Sequence, residues 1–286
     1  MWAGILGRGV ATSVFYRREK VSGKNWYHAA GILWPRLVDA ASKRQTPTYG
    51  ELSPLVQTNP LSMRWALDPI QTYCLDADLP PLSSIVIGAI TGVPGPGFIG
   101  WPLDDIDTAH QLVFDYDWSQ VPNPYGAFGV TDTPESLARS LVENPENRED
   151  VYAKVRVRGI AQTVFKKALV IAYGEQCAMC KLSFPQALDA AHIIPWALAS
   201  PSQRLDPRNG LLLCSLHHRL FDGGVITITP GGQIQFCDPH MTDGHYSTAD
   251  ESMTVSLHGK AAHLPIDPAL RPSREALEHH YQRHSW

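Results

Sequence analysis

Apolar positions recur at helical spacing through the first part of the chain. Between Ala29 and Ser42 they include Ile32, Leu33, Leu37 and Val38, which predicts a helix. Pro35 lies inside it and predicts a kink or a restart, because proline has no N–H to donate. Thr48, followed three residues later by Glu51, predicts a capping-box start to a second helix. Met63 to Cys74 predicts a third. The apolar run Leu82 to Ile90, rich in β-branched residues, predicts a buried strand broken by Gly92 to Gly97. Asp104 to Asp117 keeps Ala109, Leu112 and Val113 among acidic neighbours and predicts a solvated helix.

The pattern then changes. Pro122, Pro124, Pro134 and Pro145 punctuate residues 119–150, and Glu143 to Asp150 is strongly polar, which predicts a linker with one short helix. Beyond it, Leu188 to Ile194 and Gly210 to Cys214 predict two strands. Leu216 to Phe221 predicts a short helix stopped by Gly223 and Gly224. Val225 to Thr229 and Gln233 to Cys237 predict a hairpin joined at Pro230-Gly231-Gly232, with Cys237 a buried thiol. The expected class is α+β: a mixed α/β unit over 1–128, a linker over 129–150, and a second unit over 151–286.

A chain of 286 residues with 44% hydrophobic and 18% charged residues can bury a sizeable core, which excludes wholesale disorder. No apolar run approaches the roughly 20 residues that cross a bilayer, and Met1 to Val10 lacks a signal-peptide core. A soluble, cytoplasmic protein without a membrane partner is expected. Five cysteines in such a chain argue for metal ligands or free thiols over a disulfide framework. The net charge of −4 hides segregation: residues 1–50 carry +6, 51–150 carry −12, 151–230 carry +5 and 231–286 carry −3. Phosphate binding depends on local cations, so DNA remains an expected partner.

The strongest chemical signal is Cys177-Ala178-Met179-Cys180, followed by Cys214-Ser215-Leu216-His217. Two knuckles with two-residue gaps suit a tetrahedral zinc ion held by three thiolates and one imidazole. Four protein ligands leave no position for substrate, so this zinc is expected to be structural.

Between the knuckles stand His192 and Asn209, and His218 follows the second directly. Strand, loop, strand and helix carrying His, Asn and His at these points resemble the HNH endonucleases of the ββα-metal fold. Arg158-Gly159-Ile160-Ala161-Gln162, Tyr173-Gly174 and Leu220-Phe221-Asp222 extend the resemblance, which spans residues 156 to 225. It implies a zinc-stabilised nuclease domain that hydrolyses phosphodiester bonds with a divalent ion, Mg²⁺, Mn²⁺ or another. His192 would be the general base, Asn209 would pin the loop and orient His192 through a side-chain hydrogen bond, and His218 would ligate the ion. Many members place a metal ligand just before the base, where this chain has Ala191. Asp189 and Asp222 are the substitutes the sequence offers.

An HNH site does not read sequence, so recognition is expected from the first unit. There Arg17, Arg18, Lys20, Lys24, Trp26 and Tyr27 interleave cations and aromatics, the composition for contacting DNA backbone and bases. Trp26, Tyr27 and Trp34 are candidates for a pocket that takes a flipped base. The layout resembles restriction endonucleases, including those directed at modified cytosine. A single site cuts one strand, so double-strand cleavage would call for a homodimer. The competing readings are a non-catalytic zinc-stabilised DNA-binding protein and a DNase toxin.

Overall fold

The computed structural model describes residues 24–155 and 158–286, so Arg17, Arg18 and Lys20 lie outside the described residues. Helix α1 (Trp26–Ser42) starts where the Asn25 side chain accepts from the N–H groups of Tyr27 and His28, at 3.0 and 3.1 Å. The same side chain donates to the carbonyls of Gly129 and Asp132, tying the helix start to a distant loop. Pro35 does not interrupt α1. The helical carbonyl that Pro35 cannot satisfy belongs to Gly31, and Asn123 Nδ2 donates to it at 2.8 Å. That loop comes so close that a Cβ on Gly31 would lie 2.5 Å from the Tyr125 carbonyl oxygen.

Helix α2 (Tyr49–Leu52) has the expected capping box: Thr48 Oγ1 accepts from Glu51 N at 3.2 Å and Glu51 Oε2 from Thr48 N at 2.7 Å. Helix α3 (Met63–Asp76) packs along α1. Between them lies a core of Leu33, Trp34, Leu37, Met63 and Ile70. Trp34 meets Tyr73 and Trp118 edge-on, at 5.4 and 5.9 Å between ring centres, which makes it a core residue and no part of an open pocket.

The strand expected over Leu82 to Ile90 is absent. Leu82–Ile85 is a buried 3₁₀ turn, and Ile87 then makes a single parallel bridge to Thr48. The turn packs among α1, α3 and the next helix, so its apolar side chains are buried on all sides without strand geometry. Helix α4 (Ile106–Asp115) buries Ile106, Ala109 and Val113 and leaves its acidic side chains in solvent.

The polar, proline-punctuated stretch is folded. It holds α5 (Pro134–Glu143) and leads into α6 (Arg148–Lys154) and α7 (Arg158–Ala172). Helix α5 packs on α7, with Lys167 reaching Glu135 at 2.6 Å and Lys154 reaching Asp132 at 3.0 Å.

Strand β1 (Leu188–His192) runs antiparallel to β2 (Gly210–Cys214), pairing Leu188 with Cys214 and His192 with Gly210. Helix α8 (Ser215–Asp222) follows at once and packs on both strands, while α7 covers the sheet as well. A hairpin of β3 (Ile226–Ile228) and β4 (Ile234–Phe236) comes next, then α9 (Thr248–Met253) and α10 (Arg274–Arg283). The architecture is α+β, with the ββα unit in the C-terminal half.

One expectation in this half needs correction. Cys237 is exposed, because it lies just beyond the end of β4 and outside the ladder. His280 is buried. Its ring is buried against Phe221 at 3.7 Å, with Nε2–H donating to the Phe221 carbonyl at 3.0 Å and Nδ1 accepting from Thr227 Oγ1 at 2.9 Å. Helix α10 thereby clamps the end of α8.

Candidate functional site

Cys177, Cys180, Cys214 and His217 converge, each offering one ligand atom within 4.8 Å of the others. A tetrahedral ion with bonds of about 2.3 Å to sulfur and 2.0 Å to nitrogen sets S–S and S–N separations of roughly 3.8 and 3.5 Å. The structure has 3.9 Å between Cys180 and Cys214, and 3.6 and 3.2 Å from His217 Nδ1 to Cys177 and Cys214. None of the cysteines is in a disulfide. Hydrogen bonds from Cys180 and Cys214 push the Cys177 thiol far down, whereas hydrogen bonds to Cys177 and Cys214 push Cys180 up. Three sulfurs this close cannot all ionise without a cation between them. His217 Nε2–H donates to the Met253 carbonyl at 2.8 Å, which leaves Nδ1 as the nitrogen facing the sulfurs. This donor set fits a zinc ion.

His192 ends β1 and is gripped from three sides. Its ring stacks on Phe165 of α7 at 4.0 Å with 15° between planes, and Trp196 stands edge-on at 5.6 Å. Its Nε2 lies 3.0 Å from the Arg204 carbonyl oxygen. A carbonyl only accepts, so Nε2 carries the proton and the lone pair of the neutral imidazole is on Nδ1. Arg204 is itself anchored, donating to Tyr152 Oη at 2.8 Å and to the Trp196 carbonyl at 3.2 Å.

Asn209 is buried at the foot of β2 and clamps the loop between the strands. Its Oδ1 accepts from Ile194 N at 2.8 Å, and its Nδ2 donates to the carbonyls of Ile194 and Gln203 at 3.2 and 3.1 Å. The amide therefore holds the residue before Arg204 and does not bond the His192 ring. Its influence on His192 is indirect, through the loop.

His218 and Asp222 face one another across a turn of α8, Nε2 to Oδ2 at 3.4 Å. Asp189 takes an ion pair from Lys166 at 2.8 Å and a hydrogen bond from Ser215 Oγ at 3.3 Å. Its carboxyl is held below the usual range chiefly by Lys166, against a smaller burial effect, and His218 adds a further pull. Ala191 is buried and offers no ligand. Among the described residues, no ligand group of three or more besides the cysteine cluster comes so close together, so His218, Asp222 and Asp189 are neighbours without forming a closed cage.

With this geometry in view, a match to the family model described as HNH endonuclease, over residues 177–229, is decisive for that segment. Residues 177–229 are an HNH endonuclease segment. It holds Cys177, Cys180, Cys214 and His217 together with His192, Asn209 and His218. A solved "Modification dependent TagI restriction endonuclease" is similar over 42% of this chain and 36% of its own, at 17% identity and a TM-score of 0.29. The chain thus corresponds to about a third of that protein's length. No curated protein matches the chain. No described helix is long and apolar enough to cross a membrane.

Several groups that shape the HNH site left no mark in the sequence. Phe165, Arg204 and Met253 act through a ring face or a main-chain carbonyl, and a carbonyl is the same in every residue type. The N-terminal residues behave differently from the site. Lys24 Nζ donates to the carbonyls of Val56 and Gln57 and lies 5.6 Å from the Trp26 ring centre. Tyr27 stacks on Phe128 at 5.6 Å and meets Tyr125 at 6.1 Å.

Proposed function

We propose that this protein is a metal-dependent DNA endonuclease of the restriction type. In this reading residues 1–128 select the DNA, 129–150 join the units, and 151–286 cut. The observation that carries it is the fixed tautomer of His192, with Nε2–H committed to the Arg204 carbonyl, which makes Nδ1 the basic nitrogen of the ring. A neutral imidazole held this way accepts a proton from an attacking water. Phe165 and Trp196 fix the plane of that ring, and Asn209 keeps the loop that carries Arg204 in place.

His218 with Asp222, and Asp189 nearby, would hold the catalytic divalent ion. Such an ion supplies positive charge that stabilises the phosphate and the leaving oxygen. The Cys177, Cys180, Cys214 and His217 set would hold structural zinc. Lys166 keeps Asp189 ionised, so this carboxylate is charged throughout the neutral range.

The test is plasmid nicking with added Mg²⁺ or Mn²⁺. His192→Ala should lower the rate by about 10²–10⁴-fold, the usual worth of a general base, while DNA affinity stays within a few-fold. His218→Ala should also lose cleavage and stop responding to which divalent ion is added. Near-parental cleavage by the His192 variant would eliminate this mechanism. Digestion of matched unmodified and cytosine-modified DNA then decides whether a modified base is required.

A further inference from the structure

Helix α6 lies where the sequence places the joint between the two units, yet it reaches the loop between β1 and β2 at two points. Arg148 and Tyr152 are four residues apart and so share one face of the helix. Arg204 Nη1 donates to Tyr152 Oη at 2.8 Å, and Arg148 Nε comes within 3.7 Å of Asp206 Oδ2. Asp206 is buried and is also clasped by Arg208, Nη2 to Oδ2 at 2.8 Å. Removing a cation from a buried carboxylate is costly, so this part of the loop is firmly docked. The helix has a second footing on the opposite side. Lys154 Nζ donates to both Asp132 carboxylate oxygens at 3.0 Å, and the Asp132 carbonyl accepts from Asn25 Nδ2 at the start of α1.

The contact at Arg204 bears on chemistry because of which atom meets His192. It is the main-chain carbonyl, 3.0 Å from Nε2, and a carbonyl goes wherever its backbone is held. Three contacts hold the Arg204 guanidinium: Tyr152 Oη, the Trp196 carbonyl at 3.2 Å, and the Trp196 ring with its centre 5.0 Å away. Trp196 belongs to the same loop and moves with it. Tyr152 ties Arg204 to a separate helix. A phenol oxygen that accepts from a guanidinium makes a charge-assisted hydrogen bond, stronger than one between neutral groups.

We propose that Tyr152 is a positioning residue for strand cleavage: it fixes Arg204, whose carbonyl holds the Nε2–H of His192 and so keeps Nδ1 the basic nitrogen. Helix α6 is then part of the nuclease site and more than a joint between units. This rests on the reading of His192 as the general base. A tyrosine that only packed could become phenylalanine with no consequence for the His192 ring, whereas one that positions it could not. The separation matters because the phenol lies outside the matched HNH segment, on a helix anchored to the first unit through Asp132.

The experiment uses the full-length protein and Tyr152→Phe, which removes one oxygen atom. Single-turnover nicking with Mg²⁺ should slow by about 10–100-fold, comparable to what outer partners of ligating imidazoles contribute, while DNA affinity stays within about twofold. Nitrogen-15 spectra of the histidine rings at about pH 8, with His192 assigned by its loss in His192→Ala, report which ring nitrogen carries the proton. The parent should show Nε2 protonated, and Tyr152→Phe should move both His192 nitrogens towards the averaged positions of an exchanging ring. Arg204→Met breaks the same hydrogen bond from the other side and decides the matter if thermal melts show Tyr152→Phe to be unfolded. It should shift the same nitrogens, and adding Tyr152→Phe to it should slow cleavage no further. A parental rate in Tyr152→Phe overturns the proposal, and so does a slowed rate with unmoved His192 nitrogens. Either result leaves His192 as the base. Cleavage that survives His192→Ala overturns the general-base reading instead.

Discussion

Gly210 sits opposite His192 in the sheet, and α7 crosses directly over it. A methyl group there would lie 2.5 Å from Phe165 Cζ and 2.7 and 3.0 Å from the two Leu169 methyls. Ordinary carbon contacts are near 3.5–4.0 Å, so Gly210→Ala forces both side chains back by about 1 Å. Both are fully buried and have nowhere to go without moving α7. Overpacking of this kind costs about 1–3 kcal/mol. The displaced Phe165 ring is the one stacked on His192 at 4.0 Å, so the strain is delivered to the His192 ring. A 1 Å misplacement costs on the order of 100-fold in rate, so nicking should fall by about 10–100-fold while DNA binding holds. The assay pairs urea denaturation with single-turnover cleavage. Adding Phe165→Leu to Gly210→Ala should recover part of the stability without recovering rate, because it relieves the Phe165 contact, leaves those to Leu169 and deletes the stack. An unchanged urea midpoint would refute the steric reasoning. Lost stability with a parental cleavage rate would refute the link between the stack and His192.

Other outcomes follow from the metal cluster and the C-terminal clamp. Purified protein should contain one zinc per chain, and Cys180→Ser should lose it together with much of the stability of the C-terminal half, read by metal analysis and thermal melting. Active protein free of zinc would defeat that assignment. Burial pushes His280 down to about 4, with His284, Arg283 and His279 adding repulsion against a hydrogen bond to the Phe221 carbonyl. The unfolded chain binds that proton near pH 6.5, so this contribution is complete above pH 6.5 and is lost as pH falls towards 4. Its size is about 3 kcal/mol. Urea midpoints at pH 7 and 4.5 should therefore diverge in the parent and move together in His280→Gln. An identical pH slope in both proteins would remove His280 as the cause.

The sequence made the ββα unit legible because its signals are local. A two-residue gap between ligands, glycines after α8 and the short apolar run of β2 each act over a few positions. The capping box at Thr48 and the helix over Met63 to Cys74 were legible for the same reason. The run Leu82 to Ile90 misled because an apolar stretch of that length fits a buried turn as well as a strand. What surrounds it decides, and its surroundings are helices far away in sequence. Pro35 predicted a kink or a restart, and the uninterrupted helix was not legible because the donor that satisfies the Gly31 carbonyl, Asn123, is 92 residues away. In the site, residue types were readable and their partners were not. His192 was visible, but the Arg204 carbonyl that sets its tautomer has no signature in the code. Asn209 was visible too, although its amide holds the loop and does not touch the ring.

The C-terminal clamp has a consequence for how the chain is made. The HNH segment ends at residue 229, yet His217 depends on the carbonyl of Met253, Ala178 receives the N–H of His263 at 2.7 Å, and Phe221 is covered by His280. Translation delivers those three contacts in that order, after Cys177, Cys180, His192, Cys214 and His217 have already left the ribosome. A nascent or prematurely terminated chain therefore carries the complete set of reactive side chains without the frame that holds them.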